Sequence, residues 1–139
     1  MPTYDQMLRH LPLLFTAGFV ALLFLQSGLD KVFDRKGNLE WLTGHFSKTF
    51  VAGTVPIMLT VITVLELATG VLSAIGILYL FFAGSAVVIF WASVFGAATI
   101  TALFFGQRIA KDYAGAAVLV PYFILLLIMM GLSSPLAHR

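Results

Sequence analysis

The chain has 139 residues, of which 60% are hydrophobic and only 10% charged, with a formal net charge of +2. A soluble domain carries roughly 25% charged residues, so too few are present to cover a water-facing surface, which excludes a cytosolic enzyme, a nucleic-acid binder and a disordered chain. The absence of cysteine removes disulfides, thiol catalysis and iron–sulfur ligation.

One transmembrane domain over 1–139 is expected. Leu11 to Leu29 is an uncharged run of 19 residues, close to the ~20 helical residues that cross a hydrocarbon core. It exceeds a signal-peptide apolar region and no small-residue cleavage site follows, so it reads as a retained first span over about 10–31. Within it Ala17, Ala21, Phe24, Gly28 and Lys31 follow steps of four, three, four and three, a face that packs inward and ends in a cation. In the connection that follows, Leu39, Leu42, Phe46 and Phe50 share one helical face. That pattern predicts a short amphipathic helix over about 38–50 lying flat in the membrane interface, with Trp41 at headgroup level. Such a helix is a lid, a docking face or a plain connector.

Thr49 to Gln107 is 59 residues long and interrupted in charge only by Glu66. As one helix it would measure about 88 Å, so it folds back, giving a second span over about 54–76 and a third over about 81–105. The turn is expected between Gly76 and Gly84, and Pro56 suits a first helical turn. Ala92 and Gly96 form a small-xxx-small pair suited to a helix contact. Tyr113 to Ala137 supplies the fourth span, about 113–133, with Pro121 marking an expected kink. The runs do not alternate every second residue, which argues against a β-barrel. The fold class is therefore all-α: a polytopic four-helix membrane bundle with an interfacial helix between its first two spans.

Six cations, Lys31, Arg35, Lys36, Lys48, Arg108 and Lys111, fall on the side of the first and third connections, against Arg9 and Arg139 on the side of the termini. The positive-inside rule then predicts cytoplasmic connections and both termini on the non-cytoplasmic side.

Glu66 is the sharpest chemical signal. An acidic residue near mid-bilayer costs at least ~2.5 kcal/mol on insertion scales, so it must be paired or protonated. Thr63, Glu66, Gly70 and Ser73 form one small-and-polar stripe that should face other helices. A Lys31–Glu66 ion pair is one arrangement. Counting helical rise from the expected span ends instead places Glu66 about 15–18 Å deeper than Lys31, with Lys31 reaching the headgroups and Glu66 protonated, or with a polar ligand between them. That ligand would be the head of a quinone or lipid, walled by Tyr122 and Trp91. Candidate pocket residues are thus Gly28, Lys31, Thr63, Glu66, Gly70, Ser73 and Tyr122, with Glu66 the candidate acid/base. His10, His45 and His138 lie in terminal or connecting segments, so no bis-histidine haem or metal cluster is expected.

Ser27-Gly28-Leu29-Asp30-Lys31 ending the first span, an amphipathic loop, then Glu66-Leu67-Ala68-Thr69-Gly70 with Gly76 beyond it resemble the DoxX-like family of small four-helix membrane proteins. The likeness covers about residues 10–105. The apolar Ile77–Ala83 turn and the Phe104-Phe105 end of the third span depart from the family pattern. The resemblance implies a bacterial inner-membrane location and association with oxidoreductase assemblies such as thiosulfate:quinone oxidoreductase, with Gly28, Lys31, Glu66 and Gly70 as the shared core. Three functions stay open: an accessory or quinone-contacting subunit of a membrane oxidoreductase-type complex, a stand-alone enzyme or carrier for a lipid-soluble substrate using Glu66 and Lys31, and a purely structural tetraspan. Expected partners are the lipid bilayer, other integral membrane subunits or further copies of the chain, and no nucleic acid.

Overall fold

The computed structural model describes residues 3–138; Arg139, counted in the charge asymmetry, lies outside them. A short helix, α1 (Tyr4–Arg9), opens the chain and is closed at its start by a reciprocal cap: Thr3 Oγ1 accepts from the Gln6 amide while Thr3 N donates to Gln6 Oε1. Then come α2 (Leu11–Phe33), α3 (Arg35–His45), α4 (Val55–Ala83), α5 (Val87–Ile109) and α6 (Tyr113–Ser133). Of these, α2, α4, α5 and α6 are long and apolar enough to cross a membrane. The architecture is an all-helical bundle in which α2 packs on α4, α4 on α5 and α5 on α6, while α6 closes more lightly on α2.

The bundle is apolar outside and fine-grained inside. Large side chains such as Phe15, Leu22, Phe82, Phe105 and Val118 face outward, as hydrocarbon permits. The interior mixes Val20, Phe24, Leu80, Ile89 and Leu126 with small residues and hydroxyls. Ala17, Ala21, Ala92 and Gly96 are consumed by contacts within the bundle. The buried hydroxyls of Thr63, Thr69 and Thr99 each donate to the carbonyl four residues back in their own helix, so they enter the apolar interior already satisfied. Ser73 Oγ is the exception: it is buried with no hydrogen-bond partner among the described residues.

Three elements differ in their bounds from the sequence expectation. One, the third long helix, runs over Val87–Ile109 rather than about 81–105, because the helix before it occupies residues up to Ala83. The second long helix does not turn after Gly76 but continues to Ala83. Nothing in Ile77–Ala83 breaks a helix, and the exit needs the left-handed conformation that Gly84 adopts at φ 70°. Gly76 instead serves a helix contact, because a Cβ there would stand 2.9 Å from the Ile89 backbone nitrogen. The helix of the first connection spans Arg35–His45 rather than 38–50. It starts early because Asp34 caps it by accepting from Gly37 N at 3.2 Å. It stops early as the chain passes into turns from Phe46 onward, leaving Phe50 exposed. Pro56 sits in the first turn of α4 and α6 continues through Pro121.

The α2–α4 interface sets the register of everything near the candidate site. A Cβ on Gly28 would lie 2.7 Å from Leu67 Cδ2 and 3.2 Å from Leu67 N, and one on Gly70 would lie 2.8 Å from Leu25 N. The two backbones approach this closely only because both residues are glycine. The helices run antiparallel, so each step along α2 is a step back along α4, which brings Lys31 level with Val64. Gly70→Ala should therefore lower stability by on the order of 1–3 kcal/mol, as overpacking against a backbone does. Gly131→Ala, with nothing within 4 Å of the added methyl, should be neutral. Thermal unfolding in detergent micelles compares the two.

Candidate functional site

Lys31 ends the inward face of α2, and Glu66 stands on the buried face of α4. With Lys31 level with Val64, the two residues are separated along the axis by about two residues, or ~3 Å. Their side chains meet directly, Lys31 Nζ donating to Glu66 Oε2 at 3.1 Å. The 15–18 Å depth difference drawn from span ends is thus corrected. α4 begins well beyond the level at which α2 stops, and Glu66 lies opposite the last turns of α2. No polar ligand fits between the two charges at this distance.

The pair is enclosed, with the Glu66 side chain 3% exposed and that of Lys31 17%. Lys31 Nζ also donates to Ser27 Oγ at 2.9 Å, one turn back on α2. Sequence reasoning missed Ser27 as a partner, although its i, i+4 spacing from Lys31 was there to be used. Ser27 and Glu66 together hold the ammonium at the edge of the bundle interior, where a lone cation would be costly.

The cavity lies on the other side of Lys31. It measures about 250 Å³ and sits between α3 and the groove formed by α4 and α5. Lys31 of α2 and Gln107 of α5 both line it. Asn38, Trp41, Leu42 and Phe46 form the α3 wall, and Met58, Leu59, Ile62 and Leu103 are among the apolar residues opposite. The lining is mainly apolar, with the polar residues Lys31, Asn38 and Gln107 among it, the pattern of a small-molecule site.

The other residues singled out from the sequence fall elsewhere. Gly28 and Gly70 are contact points between α2 and α4. Thr63 is buried and bonded to the Leu59 carbonyl oxygen, and Ser73 is buried further along α4. None of these lines the cavity. Tyr122 packs against the bundle core from α6. Trp91 is 52% exposed and edge-on to Phe90. Neither supplies a wall; Trp41 does. The walls were misassigned because they depend on helix register and on where α3 lies, which periodicity within a single helix does not contain. Among the described residues no group of three or more His, Asp or Glu is placed to hold a metal ion.

Removing one member of an enclosed ion pair strands the other. Lys31→Met or Glu66→Leu alone should cost on the order of 3 kcal/mol. The double variant Lys31→Met/Glu66→Leu should recover most of that loss, since apolar pairs replace enclosed ion pairs at little cost. Melting temperatures of the three variants in one detergent measure the coupling, and additive losses would mean the two charges stabilise the bundle independently. Comparison of the chain with protein-family models, with curated proteins and with solved structures finds no match.

Proposed function

We propose that this protein is a small DoxX-like subunit of a membrane oxidoreductase-type complex in a bacterial inner membrane, and that it holds the polar head of a quinone-class molecule in the cavity beneath α3. In this reading α3 lies in the cytoplasmic interface. Both termini are on the non-cytoplasmic side, the orientation favoured by the excess of Lys and Arg in the connections on the side of α3. The observation that carries the proposal is that Lys31, fixed by Glu66 and Ser27, lines an otherwise largely apolar cavity. A carbonyl oxygen of the ligand accepts from Lys31 or from a carboxamide, the ring packs on Leu59, Leu103 and Phe46, and the tail leaves between helices toward lipid.

Two features favour this reading over the alternatives. Glu66 is not on the cavity wall, so it acts on a ligand only through Lys31, which argues against direct acid–base catalysis. Ala17, Ala21, Ala92 and Gly96 are used inside the bundle, so they do not form a face for another membrane protein, as a purely structural tetraspan would need. The near absence of mass outside the long helices and the lack of cysteine fit a component that works beside a redox partner.

Two measurements test it. The chain has two tryptophans, so Trp91→Phe leaves Trp41 as the sole fluorophore at the cavity. Decylubiquinone should quench it saturably, and Lys31→Met should weaken binding on the order of tenfold or more, the value of a charge-assisted hydrogen bond. Unsaturable quenching, or equal affinity in the variant, removes the quinone site. Purification in mild detergent should retain a larger membrane partner; a stable lone monomer would argue against the subunit role.

A further inference from the structure

The cavity is closed by an element that is secured unequally at its two ends. At its start α3 is tied firmly to α2: Asn38 Nδ2 donates to the Asp34 carbonyl oxygen at 2.9 Å and to the Asp30 carboxylate at 3.3 Å, while Asp34 caps the helix. Along its length α3 has no buried residue, so apolar burial does little to hold it down. Its far end is held by Phe46, buried just past the helix against Gly106 of α5, and by the ring beside it. The His45 imidazole stacks on Trp41 at 4.5 Å between centroids and meets Phe46 edge-on at 5.1 Å. This sets Nε2 at 2.7 Å from Gln107 Oε1 and 3.8 Å from Asp112 Oδ2.

Gln107 is in the last turn of α5, and Asp112 caps α6 by accepting from Gly115 N. One side chain therefore joins α3 to both helices across from it. Gln107 Oε1 can only accept, so this bond uses the Nε2–H tautomer of His45. Trp41, Phe46 and Gln107, the groups His45 touches, are themselves cavity walls.

We propose that α3 is a lid over the cavity, pivoting at its Asp34 end, and that His45 is the clasp that holds it shut against Gln107 and Asp112. The proposal rests on the cavity being a ligand site. It adds how that site is entered: a lipid-soluble molecule passes under α3 when the His45 contacts release. His45 is a positioning residue in this scheme and touches no ligand.

The absence of cysteine permits a direct test on the full chain. Leu59 is 1% exposed and lines the cavity, so a Leu59→Cys protein in mild detergent reports lid opening through its rate of reaction with N-ethylmaleimide. His45→Ala should raise that rate on the order of five- to tenfold, the factor set by one net hydrogen bond. Gln107→Leu, which keeps the Trp41 stacking and removes the acceptor, should do the same. A cysteine at Leu126, in the helix core, should stay protected in both backgrounds. Unchanged Leu59→Cys rates in both variants overturn the clasp, and so does an equal rise at Leu126→Cys, which would mean general loosening. Protection of Leu59→Cys by decylubiquinone separates the two ideas. Faster labelling without protection keeps the clasp and removes the quinone reading, whereas protection with unchanged labelling does the reverse.

Discussion

The ion pair between Lys31 and Glu66 is the constraint around which this end of the molecule is arranged. A carboxylate enclosed among apolar helices has to find a cation or surrender its charge, and a lysine reaches it only from a helix that lies very close. The two glycines at the crossing of α2 and α4, Gly28 and Gly70, supply that closeness. Their positions also fix the sliding register, and so place the ammonium opposite the acid. Backbone contact, register and charge neutralisation are thus one device, not three.

The same register leaves a gap. α4 starts well beyond the level at which α2 ends, so its first two turns have α5 on one side and no partner from α2 on the other. The chain between α2 and α4 folds back as α3 and covers that groove with residues that are half-exposed or exposed, Phe46 just past the helix being the one that is buried. A cavity remains with Lys31 at its edge. Along the crossings of the long helices, by contrast, small residues pass one another closely, and nearly all of the enclosed hydroxyls bond within their own helix.

How far the amino-acid pattern carried can be read residue by residue. The four long helices were legible because continuous apolar length is itself the membrane-crossing signal. The stripes ending in Lys31 and running through Glu66 were legible because three-and-four spacing defines a helix face; Ala17, Ala21, Phe24, Thr63, Glu66 and Ser73 are all buried. What escaped was relational. The end of α4 at Ala83 hinges on a left-handed Gly84 when Gly76 looked equally able to turn the chain. The contact of Lys31 with Glu66 depends on how two helices slide past each other. The cavity walls depend on where α3 lies, which is why Trp41, Asn38 and Gln107 were not anticipated and Tyr122 was.

The length of α4 has a consequence for the surrounding lipid. At 29 residues it extends about 43 Å, against a hydrocarbon thickness of about 30 Å, and its terminal turns expose large apolar side chains, Ile57 at one end and Leu78 and Phe82 at the other. To keep them out of water the rod must lean, or the leaflets around it must stretch, each at a fraction of a kcal/mol per ångström of mismatch. Among the long helices this one has the most to accommodate, and a thicker membrane lets the whole package stand more upright.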